Sequence, residues 1–142
     1  MANILIIDDD PIYSDMLRER LLREGHFATV HLGPFGGTAA AAQPNLELII
    51  LDVFMPGLDG PDLLAVMRKR KTAKRAKVIF MSSMDAEPLR ELAERHHADG
   101  SIPKSAPRSE ILEYVARVLA STTSAASTAS TNGGPGRNTE ET

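Results

Sequence analysis

The chain contains no cysteine. That excludes disulfides, thiolate nucleophiles and cysteine-built metal sites. No apolar stretch approaches the ~18 residues that a membrane-crossing helix requires. The amino terminus also lacks a basic region leading into an apolar segment and a cleavage site, so nothing suggests secretion. Both absences point to a protein of the cytoplasm. An excess of one charge is missing too. The 16 Lys and Arg against 19 Asp and Glu leave a net charge of -3, which argues neither for bulk nucleic-acid binding nor for a strongly acidic surface. What is present is 142 residues, 42% of them hydrophobic and 25% charged. That is enough for one domain with a real core and too little for two ordinary ones.

Apolar runs recur with helical patterns between them. Residues 3–7 (NILII), 27–32 (FATVHL), 46–51 (LELIIL), 78–81 (VIFM) and 101–103 (SIP) are predicted strands. The first, third and fourth are nearly continuous in large apolar residues, as expected of parallel strands covered on both faces. Residues 12–24 place Ile12, Met16, Leu17 and Leu21 on one helical stripe, with Gly25 as a stop. Residues 61–71, 86–97 and 107–120 repeat the helical pattern, the last with a stripe of Ile111, Leu112, Val115, Val118 and Leu119. The segment 33–44 is poor in large side chains, and Gly36 and Gly37 predict a short or irregular second helix. The resulting fold class is α/β, an open five-stranded parallel sheet wrapped by helices. The folded domain is expected over 1–120. Residues 121–142 hold no aliphatic side chain larger than alanine and no aromatic, so they are expected to form a disordered tail or linker stub.

In such a sheet, ligands bind beyond the carboxyl ends of the strands. Asp8 and Asp9 follow the first strand, Asp52 the third, Ser82 and Ser83 the fourth, and Lys104 the fifth. Clustered carboxylates repel one another unless a cation sits among them, and an oxygen-only ligand set favours Mg²⁺. A carboxylate beside such a metal can attack phosphorus to form an acyl phosphate. The metal, an ammonium and a hydroxyl can then hold the transferring oxygens.

This constellation, within LIIDDDP (5–11), LDVFMPGLDG (51–60) and GSIPKS (100–105), resembles the receiver domain of two-component response regulators over about residues 3–120. The resemblance implies a flavodoxin-like (βα)5 fold. It also implies Asp52 as phosphoacceptor, Ser82 as switch hydroxyl and Lys104 as the phosphate-pairing lysine. Mg²⁺ would be held by Asp9, Asp52 and the backbone carbonyl of Phe54, with Asp8 acting through water. The implied donor is a histidine kinase or a phosphotransfer protein. The implied output is a protein target reached through the fourth helix, fifth strand and fifth helix, a face that includes Arg90, Glu94, Ser101 and Tyr114 and could also serve a homodimer. Such a domain catalyses only its own phosphorylation and dephosphorylation. With only the tail after the last helix, no DNA-binding output domain is expected within the chain.

The chain departs from the family pattern at several positions. Ser101 stands where many receivers carry an aromatic, and Ser105 rather than proline follows Lys104. Phe54 and Met84 lie two residues beyond Asp52 and Ser82, where apolar side chains exclude hydrolytic water and predict a long-lived phosphoryl group.

Other residues have plainer explanations. Asp10 before Pro11 reads as an ordinary helix start, Asp59–Gly60 as a turn and Asp85 as a helix cap. The run RKRKTAKRAK (68–77) holds seven basic residues and no acid. It reads as a helix end and loop on a solvated or partner-docking surface, rather than as a DNA contact. His96 and His97 lack a spaced third ligand for zinc. Two rival functions remain at this stage. One is a haloacid-dehalogenase-type phosphatase with Asp8 as nucleophile and Asp10 as acid/base. The other is a pseudo-receiver that docks partners without phosphorylation. The first leaves Asp52 and its PGLDG loop without a role.

Overall fold

The computed structural model describes the backbone of residues 1–131 and the side chains of residues 1–121. Five strands, β1 (Asn3–Asp8), β2 (Phe27–Leu32), β3 (Leu48–Asp52), β4 (Lys77–Ser82) and β5 (Gly100–Pro103), alternate with five helices. The helices are α1 (Pro11–Arg23), α2 (Gly37–Ala40), α3 (Gly60–Lys69), α4 (Ala86–Arg95) and α5 (Arg108–Thr131). All strand pairs are parallel, in the order β2-β1-β3-β4-β5. This is the flavodoxin-like, doubly wound order.

The continuous apolar runs follow from helices lying on both faces of the sheet. Within β1, Leu5 and Ile7 join one core with Ile49, Leu51 and Phe80, beneath Leu63 and Met67 of α3 and Leu89 of α4. Ile4 and Ile6 join the other, with Leu48, Ile50 and Ile79, beneath Leu17 and Leu21 of α1 and Ile111 and Val115 of α5. A strand with period-two side chains thus has no solvent face to give to polar residues. Each fully buried Ile or Leu here contributes about 1.5–3 kcal/mol.

The helices start on local signals. The Asp10 side chain accepts from the Ile12 and Tyr13 N–H groups at 3.0 and 3.1 Å, with Pro11 at the first helical position. Asp59 is the N-cap of α3 rather than only a turn residue, and accepts from the Asp62 N–H at 3.0 Å. Asp85 occupies the N-cap position of α4, but its side chain makes no capping bond. As expected, α2 is short.

Two expectations are corrected. Ile12 is 82% exposed, because the buried face of α1 runs through Ser14, Leu17 and Leu21 and a residue two before Ser14 points ~200° away. Ser14 tolerates burial by donating its hydroxyl to the Asp10 carbonyl at 2.8 Å. Secondly, α5 continues to Thr131, past the end expected for the last helix at residue 120. The segment 121–131 has no glycine or proline to stop it, and extending an established helix costs far less than nucleating one. The rest of the expected disordered tail, 132–142, lies outside the described residues.

Candidate functional site

Three strands end in the residues singled out by the sequence. Asp8, Asp52 and Ser82 are each the last residue of β1, β3 and β4, not the first residue beyond it, because the ladder extends past the apolar run. The Gly33 N–H donates to the Asp8 carbonyl at 2.8 Å, and Asp52 is in register with Met81. All three are therefore buried, Asp8 at 2% exposure and Asp52 at 5%, while Asp9 is exposed to solvent. Carboxylate oxygens of Asp8, Asp9 and Asp52 all lie within 4.8 Å of one another.

Lys104 meets this cluster from β5. Its backbone N–H donates to the Ser82 carbonyl at 2.7 Å, which fixes the exit of β5 against the end of β4. Its ammonium then lies 2.8 Å from Asp8 Oδ2 and 3.7 Å from Asp52 Oδ1. Partial burial works against that ammonium, but the hydrogen bond and charge of Asp8, with Asp52 and Asp10 behind, outweigh it and raise its pKa. Asp52 is pushed up to about 8, first by burial and then by the adjoining Asp8 carboxylate, against the opposing pull of Lys104. One ammonium does not neutralise three carboxylates, so the site favours a further cation.

The donor set fits Mg²⁺. Asp9 and Asp52 offer carboxylate oxygens with few competing partners. Both oxygens of Asp8 are engaged, Oδ1 by the Asp10 N–H at 3.0 Å and Oδ2 by Lys104, which suits a contact made through water. The Ser82 hydroxyl accepts from the Met84 N–H at 3.1 Å and has no acceptor for its own proton among the described residues. Phe54 lies in the β3–α3 loop with its side chain 58% exposed. Asp10 is committed to its helix cap, which argues against its use as a phosphatase acid/base.

Two residues at the site escape sequence reasoning. Tyr13 places its ring 4.9 Å from the Lys104 ammonium, a cation–π contact. Its buried hydroxyl has no hydrogen-bond partner, and its pKa is raised to about 12 by burial and then by Asp8. Only the fold brings these two residues together. Gly60 lies directly behind Asp52, where a Cβ would stand 2.4 Å from the Asp52 carbonyl oxygen. The signal for it was the glycine of PGLDG, which also reads as an ordinary turn.

The fold and site together define a two-component receiver module. The family model for the response regulator receiver domain matches residues 4–116, and the chain belongs to that family. Its members are signalling modules rather than classical enzymes, and the phosphatase and pseudo-receiver readings are not favoured. Among curated proteins, the chain is 28% identical to the protein PilH of Pseudomonas aeruginosa over 120 residues, covering 84% of this chain and 99% of PilH. It is 33% identical to the transcriptional activator protein PfeR of the same species over 101 residues, covering 71% of this chain and 32% of PfeR. The chain thus spans nearly the whole of one relative and about a third of the other. Among solved structures, the response regulator TrrA of Thermotoga maritima in complex with Mg²⁺-BeF superposes with a TM-score of 0.71 at 30% identity, covering 83% of this chain and 99% of TrrA. No helix among the described residues is long and apolar enough to cross a membrane.

Proposed function

We propose that Asp52 is the phosphoacceptor of this receiver domain and takes its phosphoryl group from a phosphohistidine on a histidine kinase or phosphotransfer protein. An Asp52 carboxylate oxygen attacks phosphorus as the phosphorus–nitrogen bond breaks. The bonding electron pair leaves with the imidazole, which gains a proton, and an acyl phosphate remains. Asp9, Asp52 and the Phe54 carbonyl would hold Mg²⁺, with Asp8 acting through water, and the ion would supply charge neutralisation for the transferring oxygens. Lys104 pairs with a phosphoryl oxygen, and the Ser82 hydroxyl donates its uncommitted proton to another.

The observation that carries this reading is the lysine. Its ammonium is held between two buried carboxylates by a backbone bond to the very strand that carries Ser82. That arrangement has no use in packing, and a phosphoryl group on Asp52 would give Lys104 a doubly charged partner. Lys104 and Ser82, drawn to the added negative charge, would then shift the equilibrium of the α4–β5–α5 face toward a protein target or a second copy. At rest the Ser101 N–H donates to the Tyr114 hydroxyl at 2.9 Å, and Arg90 pairs with Glu87 and Glu94 on that face. The reading also places the domain within residues 1–120 and the protein in the cytoplasm.

The test is intact-mass spectrometry after incubation with acetyl phosphate and Mg²⁺ on wild type, Asp52→Asn and Asp8→Asn. One added phosphoryl group that requires Mg²⁺ and is absent from Asp52→Asn is the expected result. An adduct on Asp52→Asn that disappears in Asp8→Asn would move the nucleophile to Asp8.

A further inference from the structure

Phe35 lies in the turn between β2 and α2, and burial does not account for it. The residue is 72% exposed and belongs to neither core. Its backbone is nevertheless tightly held. The Phe35 carbonyl lies 2.6 Å from His31 Nε2, and because a carbonyl only accepts, that nitrogen carries the proton. Gly33, two residues earlier, donates its N–H to the Asp8 carbonyl at 2.8 Å. Gly37, two residues later, donates to the Pro34 carbonyl at 3.0 Å. A short turn fixed in this way presents an apolar ring to its neighbour.

The neighbour is the β3–α3 loop. A Cβ on Gly57 would stand 2.7 Å from Phe35 Cζ and 2.8 Å from Cε2, so the ring edge takes the place of a side chain there. Gly57 has φ of 94°, and a glycine admits both that backbone and the ring. The same loop carries Phe54. Residues 54–58 make no hydrogen bond among the described residues, so apolar contacts set their position. Met55 is buried and Leu58 packs against the core on the inner side. The Phe35 ring bears on the loop from a different element.

The β2–α2 turn therefore braces both sides of the acidic cluster. It is tied by Gly33 to the backbone of Asp8, and its ring rests on the loop that follows Asp52. A backbone carbonyl cannot swing to a metal as a carboxylate can, and goes only where its loop is held. Mg²⁺ demands near-octahedral geometry, whereas Ca²⁺ accepts a looser set of oxygens. We infer that Phe35 is a positioning residue for the metal site, whose ring, through Gly57, holds the β3–α3 loop where the Phe54 carbonyl can serve Mg²⁺. The inference rests on the metal ligands proposed above and adds to them a residue that touches no ligand.

The test is titration of Mg²⁺, and separately of Ca²⁺, into the full chain, followed by amide chemical shifts. Phe35→Ala should weaken Mg²⁺ at least about threefold, the effect of a binding-competent loop cut to a third of the population. It should weaken Ca²⁺ by less. Phe35→Met supplies an apolar chain of similar reach and should recover most of the Mg²⁺ affinity. Phe27→Ala removes a ring that is 58% exposed at the other end of β2, and should leave both ions unchanged. Asp9→Asn should weaken Mg²⁺ more than any of these. Wild-type affinity in Phe35→Ala, equal loss of both ions, no recovery in Phe35→Met, or the same weakening in Phe27→Ala would each overturn the role of Phe35 and leave the metal site standing. A wild type that binds no Mg²⁺, or binding indifferent to Asp9→Asn, would remove the metal site and the inference with it.

Discussion

Replacing Asp52 with asparagine should stabilise the metal-free protein. At an effective dielectric near 20, two like charges 4.8 Å apart, the outer limit of this cluster, repel by about 3.5 kcal/mol. An ammonium at the 3.7 Å separation of Lys104 from Asp52 attracts by about 4.5 kcal/mol on the same scale. Two such repulsions, from Asp8 and Asp9, against one attraction leave ionised Asp52 about 2.5 kcal/mol unfavourable. The pH dependence follows from its raised pKa. The folded state holds a proton on Asp52 up to about pH 8, whereas the unfolded chain releases it near 3.9. Stability of the wild type therefore falls as pH rises through that window. Asparagine carries no such penalty. Urea unfolding in EDTA, followed by circular dichroism, should show Asp52→Asn ahead of wild type by about 2.5 kcal/mol at pH 9, or roughly 5–10 °C in Tm. The gap should shrink toward zero near pH 4, and added Mg²⁺ should narrow it at pH 9 by neutralising the wild-type cluster. A variant no more stable than wild type at pH 9, or a gap that widens on acidification, would refute the reasoning.

Three further outcomes follow from the same geometry. Gly60→Ala should cost about 1–3 kcal/mol in urea unfolding, since its Cβ would be driven onto the Asp52 carbonyl oxygen; unchanged stability would mean that the loop yields freely. Tyr13→Phe keeps the ring over Lys104 while removing a buried hydroxyl without a partner, and should gain up to about 1 kcal/mol. Tyr13→Leu should instead lose about 0.5–2 kcal/mol with the cation–π contact, and equal effects would show that the ring does not hold the ammonium. The phosphorylated protein, followed by loss of the added mass, should keep its phosphoryl group for minutes or longer, and Phe54→Asn should shorten that lifetime; a wild-type half-life of a few seconds would contradict the water-excluding role given to Phe54 and Met84.

The sheet was legible in the sequence because strands buried on both faces are written as unbroken apolar runs, as in LELIIL and VIFM. The acids were legible for a related reason, since a carboxylate directly after such a run has little other purpose. The phase of α1 was not. The helix turns a serine inward, satisfied by its own backbone, and a search for apolar stripes assigns Ile12 to the core. The Tyr13–Lys104 contact joins α1 to the end of β5 and exists only once the sheet has brought those elements together. The reach of α5 to Thr131 was missed because composition speaks to burial, whereas a chain with no helix breaker can continue without a core beneath it.

The sheet also works as a partition. Ile6 and Ile7 are neighbours in the chain but belong to separate cores, whereas Ile7 and Phe80 share one across a long stretch of sequence. Truncations at Ile6 and Ile7 should therefore add, and truncations at Ile7 and Phe80 should interact. A hole opened at Ile7 can be refilled from α3 or α4 and never from α1 or α5. The two halves of the interior are thus free to vary independently in evolution, and the strands that divide them carry the acidic cluster across both.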